Sequence, residues 1–455
     1  MQSIKTRDSS FIERHLGGTE FSGREIIRML VPFYLDSLSI FFISMLITAL
    51  ISGNGEQSVA AVSLVSPILS LVSCMFNGIG AGGTVVVAQS CGSGDDNLIK
   101  RASVMVIWPT VGIGLIAVIP MLLFASPLLR VLYPSTEAAV LAKATTYLQG
   151  ALISVIPFTV YTAVFSVLRG MGESKKCLVL SVIINVAYLI FSFIFLNFLN
   201  LDIKGSYLAL IFARIAGMAV AVFALLRVRY GVRLSFNDLK VFDKQLLIKT
   251  FKVSIPLSFE QILGSCGSII SQVYMSMLGT SALAANAVAN SLLGILQVPA
   301  NAAGALTVTV VGRCFGANKR KEARDYSYKC YLIGIILFTL TALVFYPLLP
   351  YIIRIYKPTA DTASIAVKLL YLSIPMLMLF LPGTQVMPSA LRCFVDNVFP
   401  SAFSLAVMWI INILGGYLLA IPAGLGLIGV WISSWAGWVI RALGYTWRFN
   451  HISKR

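Results

Sequence analysis

Two carboxylates stand inside long apolar runs of this chain. Asp36 follows a proline by four residues in Pro32-Phe-Tyr-Leu-Asp36, and Glu260 follows another by four in Pro256-Leu-Ser-Phe-Glu260. A charge at mid-bilayer costs roughly 2.5 to 3.5 kcal/mol on insertion scales, so an acid inside a span is a functional candidate by default. The chemistry open to it is uptake of a proton, or of sodium with help from carbonyl oxygens; the structural alternative is a carboxylate fixed by a hydrogen bond or salt bridge. Arg214 is also placed mid-span and needs a partner, for which Asp36 in the same half is the first expectation. Among uncharged polar residues, Gln272, Asn286, Asn290, Tyr161 and Gln385 are expected to line a substrate path. Gln297, Asn301 and Asn185 accompany them, and helix-to-helix hydrogen bonding is the plainer account of many. Arg441 and Lys368 lie closer to helix ends, where snorkelling to the headgroups explains them.

Other chemistry finds no residues to carry it. The two histidines, His15 and His451, sit in polar tails, which excludes a histidine metal centre, proton relay or catalytic triad within the apolar segments. Seven cysteines (Cys74, Cys91, Cys177, Cys266, Cys314, Cys330, Cys393) are scattered singly, without the spacing of a zinc site. The glycine run Gly78-Ile-Gly80-Ala-Gly82-Gly83 lacks the Lys-Ser/Thr that completes a phosphate loop and reads as close helix packing. No enzymatic activity, metal or cofactor is expected, only a proton or sodium as coupling ion.

Positioning the acids falls to a membrane bundle. Of 455 residues, 58% are hydrophobic and 12% charged, and the mean hydropathy is +0.87, outside the range of a water-soluble chain of this length. With about 20 apolar residues needed per crossing, twelve spans are predicted, at 28–51, 59–89, 102–125, 146–168, 178–199, 205–226, 252–278, 282–312, 328–352, 366–390, 399–420 and 427–446. Internal Pro109, Pro157, Pro299, Pro375 and Pro382 predict kinked helices around a cavity. The net charge of +17 sits in short loops rather than on a soluble face, so nucleic acid is excluded as a partner and the lipid bilayer is the expected one. The first residues lack the apolar core and cleavage site of a signal peptide, so insertion through the first spanning helix is expected.

Lys and Arg recur on alternate connections, including Lys100-Arg101, Lys175-Lys176, Arg313 to Lys329 and Arg448 to Arg455, with Arg130, Lys143, Arg354 and Lys357 as exceptions. Positive loops are retained inside, so both termini are predicted in the cytoplasm of a cell inner (plasma) membrane protein. The chain also repeats itself. Pro32 returns as Pro256, Gly55 as Gly279, Asn77 as Asn301, Gly80-Ala81 as Gly304-Ala305 and Gly92 as Gly316, all at an offset of 224 (256 minus 32). After a slip near the fourth helix, Arg169 matches Arg392 and Gly205 matches Gly429. Six spans per copy return the chain to its starting side, so the copies form parallel repeats about an axis along the membrane normal. The expected fold is therefore an all-α membrane protein of twelve transmembrane helices in two six-helix parallel repeats around a central cleft. Residues 1–226 form the first bundle, 227–251 an amphipathic linker on the inner surface and 252–455 the second. Asp36 and Glu260, each about eight residues into its helix, fall about 12 Å deep on opposite walls of that cleft.

These residues resemble a known family. The run Gly55-Glu-Gln-Ser-Val-Ala-Ala-Val-Ser-Leu64 echoed by Gly279-Thr-Ser-Ala-Leu-Ala-Ala285, the helix ends Gln89-Ser-Cys-Gly92 and Gly312-Arg-Cys-Phe-Gly316, and Val167-Leu-Arg-Gly-Met-Gly172 are similar to those of multidrug and toxic compound extrusion (MATE) transporters over residues 25 to 448. The resemblance implies an antiporter that exports bulky amphipathic, often cationic, organic compounds in exchange for protons or sodium by rocking its halves, and a monomer is expected. A lipid-linked saccharide flippase of the same superfamily is the alternative; it is expected to show extra spans or a basic central cavity, whereas Arg214 alone is placed mid-membrane. The family's first-helix acid falls at Ile47, eleven residues from Asp36 on the same face. Its fifth-helix acid falls at Leu189, and the seventh-helix glutamate of one branch near Gly264, one turn beyond Glu260.

Overall fold

The structure, a computed structural model, describes residues 16–52, 56–134, 137–199, 201–227, 238, 241–355 and 360–454. These residues are helical almost throughout and contain no β-strand. Twelve helices are long and apolar enough to cross a membrane. They are α1 (Gly23–Ser52), α2 (Glu56–Ser93), α3 (Asp96–Leu123), α4 (Ala138–Gly170), α5 (Ser174–Phe193), α6 (Asp202–Leu226), α7 (Lys244–Ser276), α8 (Thr280–Gly316), α9 (Arg320–Ile355), α10 (Ala360–Cys393), α11 (Val398–Ala420) and α12 (Gly426–Ile452). All twelve predicted spans are present, each starting somewhat earlier than its apolar run. At three of these starts a polar capping residue lies ahead of the apolar stretch and extends the helix. Ser22 and Glu25 form a reciprocal box at the start of α1, and the Asp95 and Asp243 carboxylates each accept two backbone N–H groups at the starts of α3 and α7.

One boundary of the linker moves. Residues 244–251, expected on the inner surface, are instead the first turns of α7, whereas residues 228–237, 239 and 240 of that segment lie outside the described residues. Two helices also widen without any composition signal for it. α5 continues through π-helical residues Ile194–Phe198, and α11 is π-helical over Val407–Gly415.

The apolar core is divided in a way that defines the architecture. One cluster is shared by both halves at the end where the described chain starts and stops, taking Phe33, Val86 and Leu168 from the first half and Val253, Leu306 and Phe449 from the second. The other two clusters belong to one half each. Val65, Phe76 and Leu148 build one, and Leu292, Phe338 and Leu370 the other, with Phe41 of the first half leaning on the latter. The halves are fused at the terminal end and parted toward the opposite end.

Small residues make the fusion possible. A Cβ on Gly92 would run into the Arg313 carbonyl, and one on Gly316 into the Gln89 carbonyl, so these repeat-matched glycines let two backbones touch across the interface. The Gln89 amide completes the contact by donating to the Cys393 carbonyl at 2.8 Å. Along α2, Gly82, Gly78 and Cys74 face Ser254, Ser258 and Ser265 of α7. Their stripe continues at helical spacing as Ser70, Pro67 and Ser63, which are exposed, as are Asn290, Ser291 and Ala287 on α8.

Residues 17–22 tie the same end further. Lys329 donates to the Gly17 carbonyl at 2.8 Å, Tyr326 to the Phe21 carbonyl at 2.9 Å, and the Thr19 hydroxyl to the Glu322 carboxylate. Lys319, between α8 and α9, lies 2.6 Å from Glu20, whose hydrogen bond pushes the lysine pKa above its ordinary value. A segment leading into the first half is thus strapped onto the second.

Candidate functional site

Three cavities lie along the cleft, one between the halves and one inside each. The central cavity, about 400 Å³, is walled by α1, α2, α4, α7, α8 and α10, and Asp36, Thr84, Arg169, Asn301, Gln385 and Arg392 supply its polar groups. Asp36 is only 3% exposed, and its Oδ1 has no hydrogen-bond partner. The polar groups acting on it are the Ser181 hydroxyl and the Arg169 guanidinium. Arg169 itself lies over the Phe33 ring at 5.5 Å from its centroid, with Nε buried and without an acceptor. Glu260 differs: Arg392 NH2 donates to its Oε2 at 2.9 Å, with the two side chains 12% and 21% exposed. Arg441 and Tyr445 are also within electrostatic reach of it.

The pairing expected between Arg214 and Asp36 is not made. Arg214 donates to Ser154 Oγ at 2.7 Å and stacks over Phe158 at 4.3 Å from the ring centroid. It lines a second cavity of about 390 Å³ within the first half, together with Tyr161, Ser181, Asn185 and Tyr188. Helix geometry accounts for the separation. Both residues sit near the middle of their helices, α1 (Gly23–Ser52) and α6 (Asp202–Leu226), and what separates them is direction, because Arg214 turns to Ser154 and Phe158 of α4. Arg441, expected to reach the headgroups, instead bonds the Gly437 carbonyl at 3.3 Å and adds positive potential near Glu260. The central region is more basic than Arg214 alone would make it, because Arg169 and Arg392 both face the inter-half cavity.

Gln272, Asn286 and Asn290 come together in a third cavity of about 420 Å³ inside the second half. Asn286 accepts from Trp431 Nε1 at 3.1 Å, and Asn412, Trp438, Ser271 and Ser434 share the wall. The π-helical turn of α11 carries Asn412 into this cavity, and Gly437, where any side chain would meet the Asn412 amide, makes room for it. Asn412 Oδ1 is buried without a partner. Tyr161 lines the first-half cavity and Gln385 the central one, so the expected lining residues divide among three chambers.

Sequence reasoning passed over Arg169, Arg392, Ser154 and Asn412. The register match of Arg169 with Arg392 was the available signal, since the repeat pairs the arginines as it pairs the acids.

Twelve apolar helices in two equivalent halves, joined at one end and parted around polar chambers, define a multi-pass membrane transporter. The sequence pattern of the MatE family matches residues 32–194 and again 256–418, the same offset that joins Pro32 to Pro256. The chain belongs to this family of multidrug efflux transporters, which are not enzymes. It is 24% identical to the probable multidrug resistance protein YoeA of Bacillus subtilis, over 93% of this chain and 96% of that one. It is 22% identical to the probable multidrug resistance protein NorM of Halalkalibacterium halodurans, over 95% of each. Its fold resembles that of a multidrug resistance MATE family transporter solved in an outward-facing conformation, with a TM-score of 0.86, 18% identity and 99% of this chain covered against 100% of that one.

Proposed function

We propose that the protein is a cation-coupled antiporter of the inner membrane, with both termini cytoplasmic. It exports bulky amphipathic compounds, many of them cationic, by alternately opening the two ends of the cleft. The observation that carries this reading is Asp36, a buried carboxylate with one oxygen unpartnered on the wall of the cavity between the halves. Such an oxygen is satisfied by a proton or a bound cation, and the cleft gives that ion a route. With the termini inside, the seal at Gly92 and Gly316 closes the cytoplasmic end, and inward opening requires those contacts and the residue 17–22 strap to part. Glu260 is the weaker ion site of the pair, because an incoming cation must displace Arg392 first. The functional unit is a monomer.

The flippase reading draws support from Arg169 and Arg392 in the central cavity. Asp36 and Glu260 offset both, leaving little net positive charge to hold a phosphate-linked sugar. Efflux of a fluorescent organic cation from vesicles under an imposed pH or sodium gradient distinguishes the two. Gradient-driven transport supports antiport, whereas no response to either gradient overturns it.

A further inference from the structure

A fourth pocket lies away from the cleft, at the fused terminal end, and shares no lining residue with the three chambers. It encloses about 500 Å³, within the size range of small-molecule sites. Both halves build it: Phe21 and Arg28 at the start of α1, Gly172 to Lys175 in the turn from α4 into α5, and Arg313 near the end of α8.

Three acids and three bases line the pocket, and the acids are already engaged. Glu20 lies 2.6 Å from Lys319, Glu173 lies 3.6 Å from Lys176, and Glu25 accepts from the Ser22 N–H at 3.0 Å. With those two lysines counted, five bases against three acids leave two positive charges. Arg313 is fixed by donating to the Met171 carbonyl at 2.7 Å and by the Phe21 ring, 5.8 Å away. Arg28 and Lys175 are exposed and form no ion pair among the described residues.

The turn into α5 adds donors. Gly172, at φ +76°, reverses the chain there, and the Glu173 side chain does not cap the helix that follows. The N–H groups of Ser174, Lys175 and Lys176 therefore open toward an incoming anion, which the helix dipole also favours. Ser174 gives the independent sign of a guest. It is 3% exposed, lines this pocket, and its hydroxyl has no hydrogen-bond partner among the described residues. A buried hydroxyl is costly until something bonds it. Backbone donors, a hydroxyl and converging basic side chains suit a group with three terminal oxygens and up to two negative charges, which is a phosphoryl group.

We propose that this pocket is a phosphoryl-binding site, in which Arg28, Lys175 and the Ser174 hydroxyl hold the oxygens and Arg313 adds charge from the other half. Two sources present that chemistry, an anionic lipid headgroup at the ends of the spanning helices and a phosphate-bearing solute. The inference does not rest on the antiporter reading.

Isothermal titration calorimetry of the purified full-length protein in dodecyl maltoside tests it with three probes. They are dihexanoyl phosphatidic acid, a soluble lipid ending in a phosphate monoester, inorganic phosphate, and sodium acetate at matched ionic strength as the carboxylate control. The phosphatidic acid is expected to bind saturably and acetate at least about tenfold more weakly, the margin one charge-assisted hydrogen bond supplies. The double variant Arg28→Gln with Lys175→Gln, at two exposed positions, is expected to lose about tenfold or more in affinity. Lys244→Gln, an exposed base at the start of α7 and outside the pocket, is expected to stay within about twofold. Inorganic phosphate binding as tightly as the lipid supports the site with a solute as its guest, and tighter binding of the lipid supports it with a headgroup. No saturable binding of either phosphate probe overturns the proposal, as does acetate binding equally well or a double variant that binds like wild type. The comparison with acetate decides the question in wild type even if the double variant fails to fold.

Discussion

Arg392 lies 2.9 Å from Glu260, linking α10 to α7, and the repeat that matches Arg392 to Arg169 and Glu260 to Asp36 sets a second arginine to act on a second acid across the cleft. The two pairs are unequal. Glu260 is engaged, whereas Asp36 keeps one buried oxygen without a partner. Duplication supplied matching charges, and divergence of their surroundings leaves one acid bonded to its arginine and the other with a buried oxygen unpartnered.

The tighter pair is expected to show in stability. Removing one member of a buried ion pair strands the other and costs about 3 kcal/mol or more, whereas removing both costs much less. Arg392→Gln should therefore lower the thermal unfolding temperature in detergent, and the double variant Glu260→Gln with Arg392→Gln should recover most of the loss. A double variant as unstable as the single one would show that the pair is not what Arg392 stabilises.

The two seal glycines are expected to control which end is open. Gly92→Ala or Gly316→Ala puts a methyl group where the other half's backbone lies, which the sealed form cannot accept and a form with that end apart can. Spin labels at Ser66→Cys and Ser291→Cys, on the exposed faces of α2 and α8 in a background without native cysteines, report the opposite end. Their separation is expected to shorten in either alanine variant as the halves rock. Distances equal to those without the glycine change count against rocking about this seal.

Asn286 holds the Trp431 indole N–H inside the second-half chamber. Asn286→Leu leaves that buried donor unsatisfied, at a cost of about 1 to 3 kcal/mol, while Asn286→Asp keeps an acceptor there. Thermal unfolding should rank leucine well below aspartate, and the reverse order would mean that packing volume, not the hydrogen bond, matters at this position.

Twelve spans and the duplication were legible in the sequence because hydropathy and register survive in one dimension, whereas of the two acids only Asp36 lines the cavity between the halves. The partners were not legible. Arg169 and Arg392 end their helices and read as ordinary inside-positive charges, yet their long side chains turn back toward the cavity. Arg214 was assigned to Asp36 because both were lone charges in one half, whereas Ser154, sixty positions away, shares the Arg214 side of the bundle. The π-helical turn that brings Asn412 to its chamber has no composition signal, being a run as apolar as its neighbours. Which end of the cleft is sealed was equally hidden, since the same small-residue stripe on α2 serves the closed and the open stretch.

Coupling through Asp36 is tested most directly in proteoliposomes, by recording efflux of a fluorescent organic cation under a pH gradient, a sodium gradient or neither, for wild type and Asp36→Asn. One gradient is expected to drive the wild type, and Asp36→Asn, folded and still binding the dye, is expected to lose that response while Glu260→Gln keeps a larger share of it. Undiminished gradient-driven efflux by Asp36→Asn would show that the ion binds elsewhere.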